Sequence, residues 1–214
     1  MDTGELREAI KKIIINIQQK SADKLIPIEA SGRHVHLSQG DVDKLFGKDY
    51  KLTPKRELSQ PGQFLAEEKI KIIGSKGIIE KAAVLGPARS KSQIELSKTD
   101  AVKLGIDAPL RFSGNTKNSA SAFIASENNV IKLDEGVIIA KRHIHMTPED
   151  SVKFDVKDKD MVSVLCDTEG RKTIFQDVLI RVSPKYALEF HADTDEANAS
   201  FLKTGDEIQI IKEL

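Results

Sequence analysis

Four of the five histidines in this 214-residue chain stand in two copies of His-x-His. His34 and His36 lie in "GRHVHLS", and His143 and His145 in "KRHIHMT". Side chains on a strand alternate between faces, so residues i and i+2 point the same way and each pair can grip one ion. Neutral imidazoles suit Zn²⁺, bound at about 2.0–2.2 Å, and Co²⁺ or Fe²⁺ would accept the same donors. A single His-x-His usually serves hydrogen bonding, but two copies in a chain with one other histidine point to metal. That other histidine is His191, in "EFHADTDEANA". With Glu95, in "SQIELS", it completes a set of five His and one Glu, enough for two ions with positions left open to water or substrate. Open coordination belongs to a catalytic site, where a structural site is closed. The one cysteine, Cys166, excludes both a zinc ribbon and an intrachain disulfide. It sits between apolar strand residues and "DTEG" and reads as core, not nucleophile.

A shorter rule runs beneath the repeat. Ser38 precedes Asp41 by three residues, as Ser97 precedes Asp100, Thr147 precedes Asp150 and Asp193 precedes Glu196. Each pair has the spacing of a helix N-cap and its third-position acid, and Pro148 suits a first helical position. Two residues before each cap stands a candidate ligand: His36, Glu95, His145 or His191. The chain thus writes strand, ligand, one residue, capped helix four times. Helix N-termini beside cations favour an anionic substrate or transition state. Arg89, in "VLGPARSKSQIE", follows a Gly-Pro turn on the segment leading to Glu95. It can hold phosphate bidentately or serve as a solvated surface cation, and its position in the sequence leaves both open.

The elements that must carry these residues are mostly strands. "EEKIKIIGSKGIIEKAAVLG" predicts a hairpin turning around Gly74 and Gly77, "DMVSVLCDTEGRKTIFQDVLIRV" predicts a second, and "DEIQII" a last strand. Short strands broken by Gly, Pro, Asn and Asp predict a mainly β chain of small barrels capped by short α-helices. Residues 2–19 form an amphipathic helix pattern, with Leu6, Ile10, Ile13, Ile14 and Ile17 on one face and Asp2 with Glu5 as a capping-box start. "RHVHLSQGDVDKLF" aligns without a gap on "RHIHMTPEDSVKFD", which indicates an internal duplication. The small polar stretch 113–121, "SGNTKNSAS", is the linker candidate. The expected organisation is an N-terminal helix over 1–24, a first barrel over 25–115 and a second over 116–214, with strands free to cross that boundary.

Composition narrows the function classes. Lys and Arg total 33 against 33 Asp and Glu, so no net charge recruits nucleic acid or an anionic membrane. Aromatics are 5% with no Trp, a poor platform for base stacking. The apolar run "IIINI" is far short of the ~20 residues that span a bilayer, and a mixed-charge N-terminus is unlike a secretory signal. The expected location is the cytoplasm.

Five motifs in matching order, "GRHVHLS", "LSQPGQF", "VLGPARS", "IIAKRHIHM" and "HADTDEANA", resemble those of the PduL family, the phosphate propanoyltransferases or phosphotransacylases of bacterial microcompartments. The resemblance runs from about Ile28 to the C-terminus. It implies two small β-barrels with a two-zinc site between them, reversible acyl transfer between coenzyme A and inorganic phosphate, and a place in propanediol degradation. It puts His34, His36, Glu95, His143, His145 and His191 at metal-ligand positions and Arg89 at the phosphate-binding position. It puts Ser31 and Arg56 where coenzyme A binds. The chain departs from the family pattern at Ala83 in "KAAVLGP", where an arginine toward coenzyme A is expected, and Lys81 is the nearby substitute. The N-terminal helix resembles peptides that direct enzymes to microcompartment shells or core enzymes. Docking on its own domain, or a homo-oligomer interface, is the alternative. Two other functions compete: a metal-dependent hydrolase of the His-x-His amidohydrolase type, which wants a (β/α)₈ barrel of ~250 residues, and a non-catalytic zinc-stabilised module. The acyl chain preferred, acetyl or propanoyl, differs by one methylene, worth only ~1–3 kcal/mol in a pocket.

Overall fold

The computed structural model describes residues 24–211 together with Arg7. Apart from Arg7, the helix expected over residues 2–19 lies outside the described residues. What is described is mainly strand, arranged as two closed six-stranded barrels with four short helices.

The first barrel runs β4 (Phe64–Ile73), β5 (Ile78–Gly86), β2 (His34–His36), β6 (Gln93–Glu95), β9 (Val130–Ala140) and β8 (Ala120–Ala125), which closes on β4. Two short strands extend it, β3 (Pro54–Glu57) on β4 and β7 (Leu110–Arg111) on β9. The second barrel runs β1 (Leu25–Ser31), β13 (Glu189–Asp193), β10 (His143–Met146), β12 (Thr173–Val182), β11 (Met161–Cys166) and β14 (Glu207–Ile211), which closes on β1. Both expected hairpins form, as β4–β5 and β11–β12. In the first, Gly74 donates its N–H to the Gly77 carbonyl at 3.0 Å, and a Cβ at Gly74 would overlap the Leu104 carbonyl.

The barrels share one wiring. Each His-x-His strand is parallel to one neighbour, β5 or β12, and antiparallel to another, β6 or β13. The latter is in turn parallel to β9 or β1. The duplication read from a short alignment therefore extends to every strand of both barrels. It also exchanges strands across the expected boundary near residue 115. β1 precedes the first His-x-His yet lies in the second barrel, while β8 and β9 follow residue 115 yet lie in the first. The chain passes between barrels at Gly32–Arg33 and at Lys141–Arg142, immediately before each His-x-His.

Residues 113–121 are consequently no tether, contrary to the reading of their composition. Ser113 donates to Glu95 Oε1 at 2.8 Å, Gly114 N–H to Gln93 Oε1 at 2.8 Å, and Asn118 N–H to Glu135 at 2.9 Å. Small polar residues here satisfy a loop strapped to the first barrel.

Alternation explains how the strands serve core and site together. Val35 and Ile144, the middle residues of the two motifs, have no exposed surface and pack in separate apolar cores. Burying such side chains stabilises by roughly 1.5–3 kcal/mol each. The flanking histidines face the opposite way. Helices α1 (Gln39–Phe46), α2 (Lys98–Leu104), α3 (Pro148–Phe154) and α4 (Thr194–Ser200) follow the four ligand strands. They are too short to hold by propensity. Each depends on its cap: Ser38, Ser97, Thr147 and Asp193 accept from the N–H groups of Asp41, Asp100, Asp150 and Glu196, and the last two caps form reciprocal boxes.

Candidate metal and acyl-transfer site

Strand register gathers the third donor of each set. His34 is paired directly with Glu95 across β2–β6, and His143 with His191 across β10–β13. The six candidate ligands form two groups, His34–His36–Glu95 and His143–His145–His191, and within each the donor atoms lie within 4.8 Å of one another. In the second, the three imidazole centroids are 4.7–4.9 Å apart.

Hydrogen bonds decide which nitrogen each histidine leaves free. A carbonyl only accepts, so His34 donates from Nδ1 to the Gly32 carbonyl at 2.8 Å, and His143 from Nδ1 to the Lys141 carbonyl at 2.9 Å. Their Nε2 atoms keep the lone pair. His36 bonds the Leu85 backbone and leaves Nδ1 buried without a partner. The Nε2 atoms of His145 and His191 are likewise buried and unbonded. Glu189 Oε2 stands 3.3 Å from His191 Nε2, a contact outside hydrogen-bonding geometry. On Glu95, Gln93 and Ser113 occupy Oε1, while Oε2 points to His34 Nε2 at 3.6 Å. Buried polar atoms rarely go unsatisfied, and the orphaned imidazole nitrogens in both groups, beside the Glu95 carboxylate in the first, fit divalent metal ions.

The electrostatics agree with neutral imidazoles in most positions. Burial, reinforced by neighbouring cationic groups, pushes His36 and His145 down to about 3. His143 and His191 are lowered for the same first reason. His34 differs: burial opposes its charge, but the Glu95 carboxylate outweighs burial and raises it. The same pairing holds Glu95 well below the usual carboxylate range although burial works against it.

Both groups open into one cavity of about 490 Å³, lined from the two barrels. Arg89, Ser31 and Arg56 line it too, as does Ala83, whereas Lys81 does not. Arg89 reaches it from a backbone bridge beside Ser38, with its N–H on the Leu37 carbonyl at 2.8 Å. Burial lowers the pKa of its guanidinium, opposed by Glu95. Cys166 lies in the second core, fully buried, its thiol pushed up to about 11 by burial and Glu196. It is no nucleophile.

Several residues at the cavity wall or just behind it are not candidate ligands by motif. Gln60 lies in "LSQPGQF" and contacts His145, Glu189 backs Gln60, and Gln93 stands two residues before Glu95. Tyr186 stacks on His145 with centroids 4.0 Å apart, and Arg181 lies over the Tyr186 ring at 5.7 Å. Gln93 and Glu189 carry a local signal, each standing two residues before a candidate ligand on the same strand face.

Comparison with known proteins agrees with this geometry. Residues 27–203 match the family model described as phosphate propanoyltransferase. A phosphate propanoyltransferase of Thermotoga maritima is 51% identical over 187 residues, covering 87% of this chain and 89% of the relative. Those of Enterococcus faecalis and Clostridioides difficile are 45% and 44% identical, each covering 97% of both chains. The chain belongs to the phosphate propanoyltransferase family of acyltransferase enzymes.

Proposed function

We propose that this enzyme transfers a short acyl group, propanoyl or acetyl, between coenzyme A and inorganic phosphate, with two zinc ions held by His34–His36–Glu95 and His143–His145–His191. The observation that carries the reading is the convergence of Arg89 and both donor groups on one cavity built from two barrels. When bound, the ions would supply Lewis-acid polarisation of the thioester carbonyl and neutralise phosphate charge.

The chain's own residues define the rest. Arg89, half-buried and lining the cavity, fits the planar fork to a phosphate and orients one of its oxygens for attack. That oxygen forms a bond to the thioester carbonyl carbon while the carbon–sulfur bond breaks, giving acyl phosphate and the coenzyme A thiolate. A thiolate leaves without strong acid assistance, so no general acid is needed. No acyl-enzyme is invoked, since the one cysteine is buried in a core. Ser31 and Arg56, at the cavity wall, are the proposed contacts for coenzyme A. The barrels here are six-stranded and largely antiparallel, which removes the (β/α)₈ architecture that the hydrolase reading required. We place the enzyme in the cytoplasm, with residues 2–19 as the segment directing it to a microcompartment. Amphipathic patterning supports that role.

The test combines metal content with thiol release from propanoyl- and acetyl-coenzyme A. About two zinc per chain and release that requires phosphate are expected. Phosphate-independent release, or turnover undiminished by complete metal removal, would overturn the reading.

A further inference from the structure

We infer that Gln60, supplied by the first barrel, is a positioning residue that fixes which nitrogen of His145 in the second barrel is free to bind metal. The inference rests on reading His143–His145–His191 as a metal site.

Gln60 lies between β3 and β4, is 5% exposed, and crosses to the other barrel. Its amide orientation is decided by groups of known polarity. Nε2 donates to the Ala187 carbonyl at 3.1 Å and to Glu189 Oε2 at 3.0 Å, and Ser59 donates to the same carboxylate oxygen at 2.6 Å. On its other side Oε1 accepts from Ala187 N–H at 3.2 Å, a group that can only donate. The amide therefore cannot be flipped without setting donor against donor and acceptor against acceptor. That same Oε1 lies 3.0 Å from His145 Nδ1. An amide oxygen only accepts, so Nδ1 must carry the proton. A neutral imidazole then has its lone pair on Nε2, the buried atom without a partner that sits among the donors of His143 and His191. Tyr186, stacked at 4.0 Å, covers the ring face and restrains its rotation.

His34 and His143 take the equivalent bond from carbonyls two residues earlier in their own segments. His145 takes it from the opposite barrel. The second donor group is thus competent only when the barrels are docked through Gln60 and Glu189. Outer partners that orient a ligating histidine typically affect metal affinity about 10–100-fold.

The experiment is zinc titration against a competing chelator on the full-length wild type and Gln60→Leu, with ¹⁵N NMR of His145 in the metal-free wild type. His191→Ala marks which ion belongs to the second group. Gln60→Leu is expected to hold one ion at wild-type affinity and the other about 10–100-fold more weakly, with metal-free melting temperature showing that it folds. In the wild type, His145 is expected as the Nδ1–H tautomer. Wild-type affinity for both ions in Gln60→Leu, or an Nε2–H tautomer, would overturn the inference. If the variant does not fold, the wild-type tautomer decides. A wild-type chain that binds no ion at the second group defeats the metal reading instead, and the tautomer still reports on Gln60.

Discussion

Arg142, the residue before the second His-x-His, donates from Nη1 to Glu196 Oε1 at 2.7 Å, and Glu196 is the acid that caps the helix following His191. Arg33 repeats the bond in the first half, reaching Asp100 Oδ1 at 3.0 Å on the helix following Glu95. Each arginine sits where the chain passes between barrels. It ties that crossing to the helix behind the third candidate ligand.

The two pairs differ in burial, which orders their contributions. Arg142 and Glu196 are 26% and 19% exposed, whereas the Arg33 side chain is 49% exposed. Arg142 also bonds the Gln176 carbonyl and lies over the Phe175 ring at 5.1 Å. Arg142→Ala is expected to cost about 1–3 kcal/mol and Arg33→Ala at most about 1 kcal/mol. Urea unfolding of the metal-free variants measures both. Equal costs would mean that the second clasp is no stronger than a surface pair.

What a reader of the sequence can recover follows from range. The six candidate ligands and four caps are visible because strand alternation and cap spacing act within a few residues, and the structure realises each cap. Gln60 and Glu189 meet across 129 positions, and nothing local to either announces the other. The exchange of β1 into the second barrel is hidden for a related reason. Pairing partners are chosen by closure of a barrel, while apolar alternation specifies only which face is buried. Residues 113–121 misled because a tether and a strapped loop draw on the same small polar residues. What distinguishes them is the presence of Gln93 and Glu95 beneath.

Acid sensitivity of the metal-free protein follows from its histidines. His36 and His145 are pushed down to about 3, and His143 and His191 are lowered, in each case first by burial. An unfolded chain protonates histidine near pH 6.5. A depressed folded pKa contributes stability above the unfolded value and loses it as pH falls. Between about pH 6.5 and 3, His36 and His145 each remove up to about 1.4 kcal/mol per pH unit, and His143 and His191 act in the same direction. His34 is raised, so its contribution is complete below 6.5 and declines only at higher pH. Urea midpoints of chelator-treated protein should therefore fall as pH drops from 6.5 towards 5.5, above the ordinary carboxylate range. A flat profile over that interval would contradict buried neutral imidazoles.

At the proposed coenzyme A end, cavity geometry separates Arg56 and Lys81 from each other and from Ala83, where the family pattern led to the expectation of an arginine. Arg56 and Ala83 line the cavity, while Lys81 is exposed outside it. Arg56→Ala is expected to raise KM for propanoyl-coenzyme A about 5–20-fold, the loss of one charge-assisted contact, with KM for phosphate unchanged. Lys81→Ala should alter neither constant. A large KM increase in Lys81→Ala would show that lysine substitutes for the arginine absent at Ala83.

Arg89 offers the sharpest separation of charge from shape. Arg89→Lys keeps a cation in name but replaces a two-pronged planar donor by a point charge. Burial, which already lowers the arginine, acts in the same direction on a lysine. The variant is expected to raise KM for phosphate by about tenfold or more, the equivalent of one bidentate charged contact, while KM for the acyl-coenzyme A stays within about twofold. A lysine variant with wild-type phosphate KM at pH 8 would remove Arg89 from phosphate recognition, and a defect shared equally by both substrates would make it a residue of barrel packing.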